Sequence, residues 1–192
     1  MKLIVSLGRE HLARVLKTAE LSWQGYVDLL LKVQESNDKA SRGWSCPVEF
    51  SPAYRDSENF QHRYALTLDY DHVTASDMMQ IHEAFVSLQH LAYTTWSHTA
   101  AKPRWRYVIP LSRPATYDEF QAISRRVAAR AGIELAARES HVPAQCMFLP
   151  TIRPGETLQS IQNPGKILDV DAVLAEYENW TDKTQWPRRD SA

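Results

Sequence analysis

The sequence predicts an α/β fold, in the α+β sense, with helices packed on a mainly antiparallel sheet. Patterns typical of helices and strands are interleaved along the 192 residues. The strand patterns are short and are not dominated by Val and Ile, as they are in a parallel sheet buried on both faces. A hydrophobic content of 44% with 23% charged residues is ordinary for a globular protein long enough to bury a core.

The first fifty residues predict two helices followed by a loop. Apolar residues at helical spacing, among them Leu12 and Leu16, predict a helix within residues 10–19. A second helix is predicted from Ser22, a favourable N-cap residue, with Val27 and Leu30 on its buried face. Residues 37–52 contain Gly43 and two prolines among polar residues, which predicts a loop.

The centre of the chain predicts two strands of the sheet and the helix between them. Residues 63–71 alternate Tyr and Leu with other residues, as a strand does. The spacing of Thr74 and Asp77 predicts a capping box that opens a helix. Residues 91–96 are rich in strand formers, and residues 104–111 predict a strand on which Arg104 and Arg106 face the same way.

The remaining elements are a helix, a short strand, a loop and a last helix. Thr116 and Glu119 have capping-box spacing, and their helix is predicted to end near Gly132. Residues 146–149 predict a strand, residues 151–165 a loop and residues from Asp171 a helix. We expect one domain over residues 1–180 and a loose polar tail over residues 181–192.

Composition excludes several classes of function. A formal net charge of −1 argues against indiscriminate nucleic-acid binding, and there is no Gly-rich phosphate loop of the P-loop kind. No apolar run is long enough to cross a membrane, and no secretion signal is present. Two cysteines, Cys46 and Cys146, are too few for a zinc site. We expect free thiols in a cytoplasmic protein.

Asp69 and Asp71 end the central strand and are the first candidate functional residues. Successive side chains of a strand point to opposite faces, so the two carboxylates share one face with their Cα atoms about 7 Å apart. Two like charges at that distance repel, and a hard divalent cation with oxygen ligands is the usual remedy. The alternative is that the strand ends here and both aspartates lie in a solvated turn.

Three further candidates follow in sequence order. His98 follows the 91–96 strand, and Arg104 and Arg106 lie on the next one. If the strands are neighbours, these groups and the aspartates form a cleft that suits a triphosphate and its metal. A lone histidine is more often structural, and strand arginines often face solvent, so the combination carries the hypothesis.

Three segments resemble motifs of the archaeo-eukaryotic primase superfamily, in particular the primase-polymerase domains of phages, prophages and plasmids. They are residues 66–71 (LTLDYD), 93–99 (YTTWSHT) and 102–114 (KPRWRYVIPLSRP). Weaker similarity extends the resemblance over residues 22–174. The resemblance implies an RRM-like, mainly antiparallel sheet packed with helices, and a metal-dependent DNA-directed nucleotidyltransferase in the replication of a mobile element.

The resemblance also implies roles for individual residues. Asp69 and Asp71 would bind Mg²⁺ or Mn²⁺ and, with His98, form the catalytic set. Nucleotide and phosphate contacts would come from Ser97, His98, Arg104 and Arg106. A DNA template and nucleoside triphosphates are the implied partners, with a separate helicase or replication protein as a further expected partner.

The chain departs from the family pattern at two positions. The third acidic residue of the pattern falls at Ala137, and the arginine of a Pro-Ser-Arg stretch falls at Gln145. Glu139 is a candidate third metal ligand in place of Ala137. Two alternatives therefore stay open: a catalytically lapsed domain that binds DNA, a nucleotide or a protein partner as a regulator, and a metal-dependent phosphoesterase that uses the same aspartates and His98.

Overall fold

The structure is a computed structural model that describes residues 2–10, 14 and 16–189. The described chain has four α-helices and eleven strands. The helices are α1 (Trp23–Leu31), α2 (Ala75–Phe85), α3 (Tyr117–Ala129) and α4 (Val170–Leu174). The strands are β1 (Lys2–Gly8), β2 (Lys17–Ser22), β3 (Gln34–Glu35), β4 (Trp44–Cys46), β5 (Val48–Phe50), β6 (Phe60–Tyr70), β7 (Gln89–Thr94), β8 (Trp105–Ala115), β9 (Met147–Phe148), β10 (Thr151–Ile152) and β11 (Ser160–Pro164).

A five-stranded sheet in the order β11-β7-β8-β6-β5 is the centre of the fold, and every pair in it is antiparallel. A second antiparallel sheet has the order β2-β1-β4-β9, and β3 pairs with β10 in a parallel two-stranded ribbon. The expectation of helices packed on a mainly antiparallel sheet is confirmed.

Both faces of the central sheet are covered, which explains the long apolar runs of β6 and β8. On one face Leu66, Leu68 and Tyr70 pack with Phe85 of α2 and Phe120 of α3. On the other face the buried contacts come from β1 and α1, and the residues that form this second core include Leu3, Val5, Tyr26, Ala65, Tyr93 and Val108. Alternate residues of one strand therefore belong to different cores.

The predicted helix starts are confirmed where a side chain caps them. Ser22 accepts a hydrogen bond from the Gly25 N–H at 3.0 Å and begins α1. Thr74 and Asp77 form a reciprocal capping box at the start of α2. Glu119 accepts from the Thr116 N–H at 2.8 Å at the start of α3.

Several predictions were wrong where long-range pairing decides the structure. Residues 17–22 form β2 against β1 instead of part of a helix, and residues 11–13 and 15 of that prediction lie outside the described residues. The predicted loop over 37–52 contains β4 and β5, and the one over 151–165 contains β10 and β11. The last helix is shorter than predicted, because Tyr177 lies beyond α4, where its hydroxyl donates to the Ala122 carbonyl.

No helix in the described ranges combines the length and the apolar character needed to cross a membrane. Of the predicted tail, residues 181–189 are described and include a short 3-10 helix, Lys183–Gln185. Residues 190–192 lie outside the described residues.

Candidate functional site

The candidate site begins with a row of three side chains across the central sheet. In the strand register Arg106 of β8 is opposite Asp69 of β6 on one side and Tyr93 of β7 on the other. Directly opposite residues of antiparallel strands point to the same face. The strand pairing alone therefore brings an acid, an arginine and a tyrosine together, although they come from three separate segments of the sequence.

Asp69 and Arg106 form a two-pronged ion pair. The Arg106 Nε donates to Asp69 Oδ1 at 2.6 Å, and Nη2 donates to Oδ2 at 3.0 Å. The side chains are 14% and 12% exposed, respectively, so water screens the pair only weakly. Burial by itself lowers the pKa of the Arg106 guanidinium, but the charge of Asp69 outweighs burial and leaves that pKa above its ordinary value.

The third nitrogen of Arg106 contacts the opposite side of the site. Its Nη1 donates to the Phe148 carbonyl of β9 at 3.2 Å and lies 3.5 Å from the Tyr93 hydroxyl. Arg106 thus joins the central sheet to the second sheet. These contacts fix the plane of the guanidinium, so the carboxylate of Asp69 is held in one orientation.

Asp71 and Arg104 form a looser and more exposed pair. Their closest approach is 3.4 Å between Arg104 Nη1 and Asp71 Oδ1, with 28% and 34% of the side chains exposed. Both residues lie just outside the strands, one after β6 and the other before β8. The repulsion predicted between the two aspartates is therefore balanced in the folded chain by an arginine beside each one.

The main chain of Asp69 is held by the segment that follows α3. β5 pairs only with the first part of β6, so the edge of β6 near Asp69 needs other partners. The Asp69 N–H donates to Ser140 Oγ at 2.9 Å, and the Asp69 carbonyl accepts from the Ala137 N–H at 2.7 Å. Position 137, where the resemblance implies a carboxylate, is thus next to Asp69 and holds an alanine.

His98 has a defined tautomer. Its Nδ1 accepts a hydrogen bond from the Arg104 backbone N–H at 3.1 Å, so the neutral ring carries its proton on Nε2. Burial is the largest cause and lowers the pKa of the imidazole; the charge of Glu156 and the contact with the Arg104 N–H raise it, and the charge of Arg153 lowers it, with a net shift downward. The ring is neutral at pH 7 and offers Nε2 as a hydrogen-bond donor.

One open cleft collects most of the candidate residues. Of those predicted from the sequence, it contains Asp69, Asp71, Ser97, Arg104 and Arg106. His98 lies in an adjoining pocket that shares Thr95 and Trp96 with the cleft. Glu139 is exposed in the 3-10 helix Arg138–His141 and does not line the cleft, so the structure does not bring it to the aspartates.

Sequence reasoning missed the residues on the far wall of the cleft. They are Lys39, from the segment between β3 and β4, and the run from Phe148 to Thr151, which begins inside the predicted 146–149 strand. The Lys39 ammonium lies 5.5 Å from the centre of the Phe148 ring. No local pattern marks Lys39, because only the packing of β9 against β4 places it there.

Asp69 and Asp71 are the carboxylates of the divalent-metal site that the family resemblance implies. Asp69 and Asp71 offer the hard oxygen ligands that Mg²⁺ and Mn²⁺ prefer. Both oxygens of Asp69 already accept from Arg106, and the described part of the chain contains no group of three or more His, Cys, Asp or Glu side chains suited to a metal. Among the described side chains, Asp69 and Asp71 are thus the two candidate carboxylate ligands, and no third acidic side chain joins them.

Gln145, the other departure from the family pattern, lies at a structural contact. Its carbonyl accepts from Arg63 Nη1 at 3.2 Å, and the same nitrogen donates to the Pro143 carbonyl at 2.6 Å. Arg63 is fully buried, and its Nη2 donates to Thr67 Oγ1 at 3.1 Å. Arg63 of β6 therefore holds the segment around Gln145, the position at which the family pattern has an arginine.

The comparisons with known proteins agree with this description. The sequence model of a family described as VapE N-terminal domain matches residues 49–189. Among solved structures, the AEP domain (PP-N190) of the primase-polymerase of cyanophage S-2L is similar, with a TM-score of 0.51 and 16% identity over 91% of this chain and 88% of that chain. No curated protein sequence matches. At this identity the structural likeness shows the fold, and it confirms the predicted primase-polymerase architecture.

Proposed function

This chain belongs to the VapE N-terminal domain family and has the fold of a phage or plasmid primase-polymerase domain, and from this premise we propose that it binds nucleoside triphosphates and extends DNA strands. The setting would be the replication of a mobile element. The observation that carries the proposal is the cleft in which Asp69, Asp71, Arg104 and Arg106 meet beside Ser97.

The charges of the cleft suit a triphosphate. Three cationic side chains, Lys39, Arg104 and Arg106, line it together with two carboxylates. Arg106 is committed to Asp69, whereas Arg104 makes only the 3.4 Å contact with Asp71 and retains donors for phosphate oxygens. His98 would add the Nε2 donor from the adjoining pocket. We assign phosphate binding to Arg104 and Lys39, with Ser97 and His98 as further contacts.

Asp69 and Asp71 are the residues that would hold Mg²⁺ or Mn²⁺. When bound, the ion would neutralise the phosphates and stabilise the leaving pyrophosphate. The chain's own part is to hold the carboxylates and the nucleotide in register, which the Asp69 main-chain contacts with Ala137 and Ser140 support. A separate helicase or replication protein is proposed as the partner that exposes the DNA template.

The test is nucleotide incorporation on primed and unprimed DNA templates with Mg²⁺ or Mn²⁺, together with titration of a nucleoside triphosphate by calorimetry. Asp71→Asn is the informative variant, because Asp71 is part-exposed and its loss leaves the buried Asp69–Arg106 pair intact. We expect incorporation to fall at least a hundredfold. Asp171→Asn is the matched control, an aspartate paired with an arginine at the other end of β8, and should keep full activity.

A second function is favoured by a specific observation. Arg106 occupies both oxygens of Asp69, and Ala137 supplies no ligand, so the domain fits a catalytically lapsed form that binds a nucleotide, DNA or a protein partner as a regulator. In that case the nucleotide binds without metal, no incorporation occurs with either ion, and Asp71→Asn binds as the parent does. Loss of binding in Asp71→Asn together with loss of incorporation contradicts this second function.

A phosphoesterase would use the same groups. Product analysis on end-labelled DNA separates it from transfer, because hydrolysis shortens the labelled strand and incorporation lengthens it. Shortening that depends on Asp71 and a divalent ion would replace the proposed transfer by hydrolysis.

A further inference from the structure

The two cysteines are a hundred residues apart in sequence but face each other in the second sheet. β4 and β9 pair antiparallel with Trp44 opposite Phe148 and Ser45 opposite Met147. The next position of this register brings Cys46 opposite Cys146. Directly opposite residues of an antiparallel pair have Cα atoms about 4.5–5.5 Å apart, within the range that a disulfide spans. Both cysteines are free thiols in the structure.

The surroundings of the two thiols differ. Cys46 is fully buried, with its Sγ 3.0 Å from the Gln145 carbonyl and 3.6 Å from Arg63 Nη1. Cys146 is half-buried and lines a surface cavity together with Arg55 and Trp44. An oxidant in solvent can therefore reach Cys146 directly, whereas Cys46 is accessible only to the sulfur beside it.

Cys146 also has the neighbours that stabilise a thiolate. The pKa of Cys146 lies below its ordinary value, chiefly because of the neighbouring Cys46 thiol; the Arg55 side chain lowers it further, against burial. The pKa of Cys46 is raised, because burial disfavours its charged form. In the structure the Cys46 thiol donates to the Gln145 carbonyl at 3.0 Å.

We propose that Cys146 is an oxidation site. A peroxide oxidises the Cys146 thiol, and Cys146 then forms a reversible disulfide with Cys46. The Cys146 thiolate attacks one peroxide oxygen, the O–O bond breaks and the other oxygen leaves as hydroxide, which gives Cys146 sulfenic acid. The Cys46 sulfur then attacks the sulfenic sulfur, the S–O bond breaks and water leaves as the S–S bond forms. The two thiols lose two electrons in total, the peroxide gains them, and a small thiol restores both cysteines.

The disulfide would act on the wall of the cleft. Phe148, two residues from Cys146, lines the cleft and accepts from Arg106 through its carbonyl. A covalent link between β4 and β9 fixes that segment to the second sheet. An effect of the disulfide on activity rests on the proposed function. Formation of the disulfide does not, because it takes place whether or not the cleft binds a nucleotide.

The experiment exposes the reduced chain to a small excess of hydrogen peroxide, quenches it with an alkylating agent, and measures free thiols and intact mass. We expect both thiols to disappear and the mass of the monomer to fall by two hydrogen atoms, with a peptide that joins Cys46 to Cys146. In Cys46→Ser the sulfenic acid persists on Cys146, where dimedone traps it. In Cys146→Ser the remaining Cys46 stays reduced at the same dose.

Arg55→Ala tests whether the Arg55 side chain stabilises the Cys146 thiolate, and it should slow peroxide consumption several-fold at neutral pH. Arg130→Ala is the control, since Arg130 follows α3, its guanidinium pairs with Glu176, and neither residue lines the cavity at Cys146; it should react as the parent does. The proposal is overturned if Cys46 in Cys146→Ser oxidises as fast as Cys146 in Cys46→Ser. Disulfides found only between chains, or thiols that survive a dose that consumes a free thiol control, also overturn it.

Discussion

The two ends of β8 each place an arginine beside carboxylates, with opposite consequences. At the start of the strand Arg106 pairs with Asp69, and both side chains are nearly buried. Near its end Arg113 pairs with Glu119 at 2.9 Å and Asp171 at 2.6 Å, where the exposed fractions of Arg113 and Asp171 are 37% and 73%. The residue types and distances are alike, and the difference is that Arg113 and Asp171 are open to water, whereas Arg106 and Asp69 are nearly buried.

Because of that difference, the Arg113 cluster supports the structure, whereas the Arg106 cluster belongs to the candidate site. The Arg113 cluster ties together two helix starts, because Glu119 belongs to the first turn of α3 and Asp171 to that of α4. Water screens the pair with Asp171, so that pair contributes little. The Arg106 cluster lies in an open cleft with its charges largely removed from water, where a new charge or ligand has a strong effect.

The largest effect should come from Arg106→Met. It leaves the carboxylate of Asp69 nearly buried without its partner, a loss of about 3–5 kcal/mol in the free energy of unfolding. Arg113→Met should cost less, because Arg113 and Asp171 are open to water and Glu119 keeps its hydrogen bond from the Thr116 N–H. Urea denaturation of both variants measures the contrast. Adding Asp69→Asn to Arg106→Met should restore most of the loss, and equal losses at Arg106 and Arg113 would remove burial as the explanation.

An intermediate effect is expected for Glu119→Ala. Glu119 accepts from the Thr116 N–H at the start of α3 and also pairs with Arg113, and its side chain is only 12% exposed. Loss of the cap should lower the free energy of unfolding by about 1 kcal/mol. Thermal unfolding followed by circular dichroism measures it, and Glu119→Gln, which keeps a capping oxygen, should lose less.

The two clusters should also be distinguishable by pH. Burial raises the pKa of Glu119, but hydrogen bonds from Arg113 and Thr116 outweigh it, so that this pKa lies below its ordinary value of 4.5. The Arg113 hydrogen bond, the largest cause, likewise holds the Asp171 pKa below its ordinary 3.8. Depressed carboxyl pKa values stabilise the fold above the unfolded values, and this stability is lost as pH falls through the folded ones. Arg113→Met should therefore flatten the decline of the free energy of unfolding below about pH 4.5. If that decline is unchanged in the variant, Arg113 is not the cause of the lowered carboxyl pKa values.

The smallest effect is expected for Asp171→Asn. Asp171 is exposed to solvent, so its pairing with Arg113 is open to screening by salt. The midpoint of thermal unfolding should shift less than in Glu119→Ala, and the shift should vanish in concentrated sodium chloride. A shift that persists in salt would show that the pair is protected from solvent.

Much of the fold was predictable because its signals are local. The alternation of residues 63–71 is the pattern of β6, and the caps at Ser22, Thr74 and Thr116 begin helices within a few residues of the predicted positions. β2, β4 and β11 were missed because their pairing with distant strands, more than their own pattern, makes them strands. A three-residue buried strand such as β4 has no period long enough to detect.

The candidate site divides in the same way. The sequence by itself predicted that Asp69 and Asp71, and likewise Arg104 and Arg106, share a face, and all four side chains line one cleft although Asp71 and Arg104 lie just outside the strands. Only the tertiary structure decided which charges meet: the register places Arg106 opposite Asp69, the sheet packing adds Lys39 and Phe148, and β4–β9 pairing brings Cys46 to Cys146. The physical reason is that side-chain direction follows from the local backbone, whereas hydrogen-bond partners and burial depend on segments far apart in the chain.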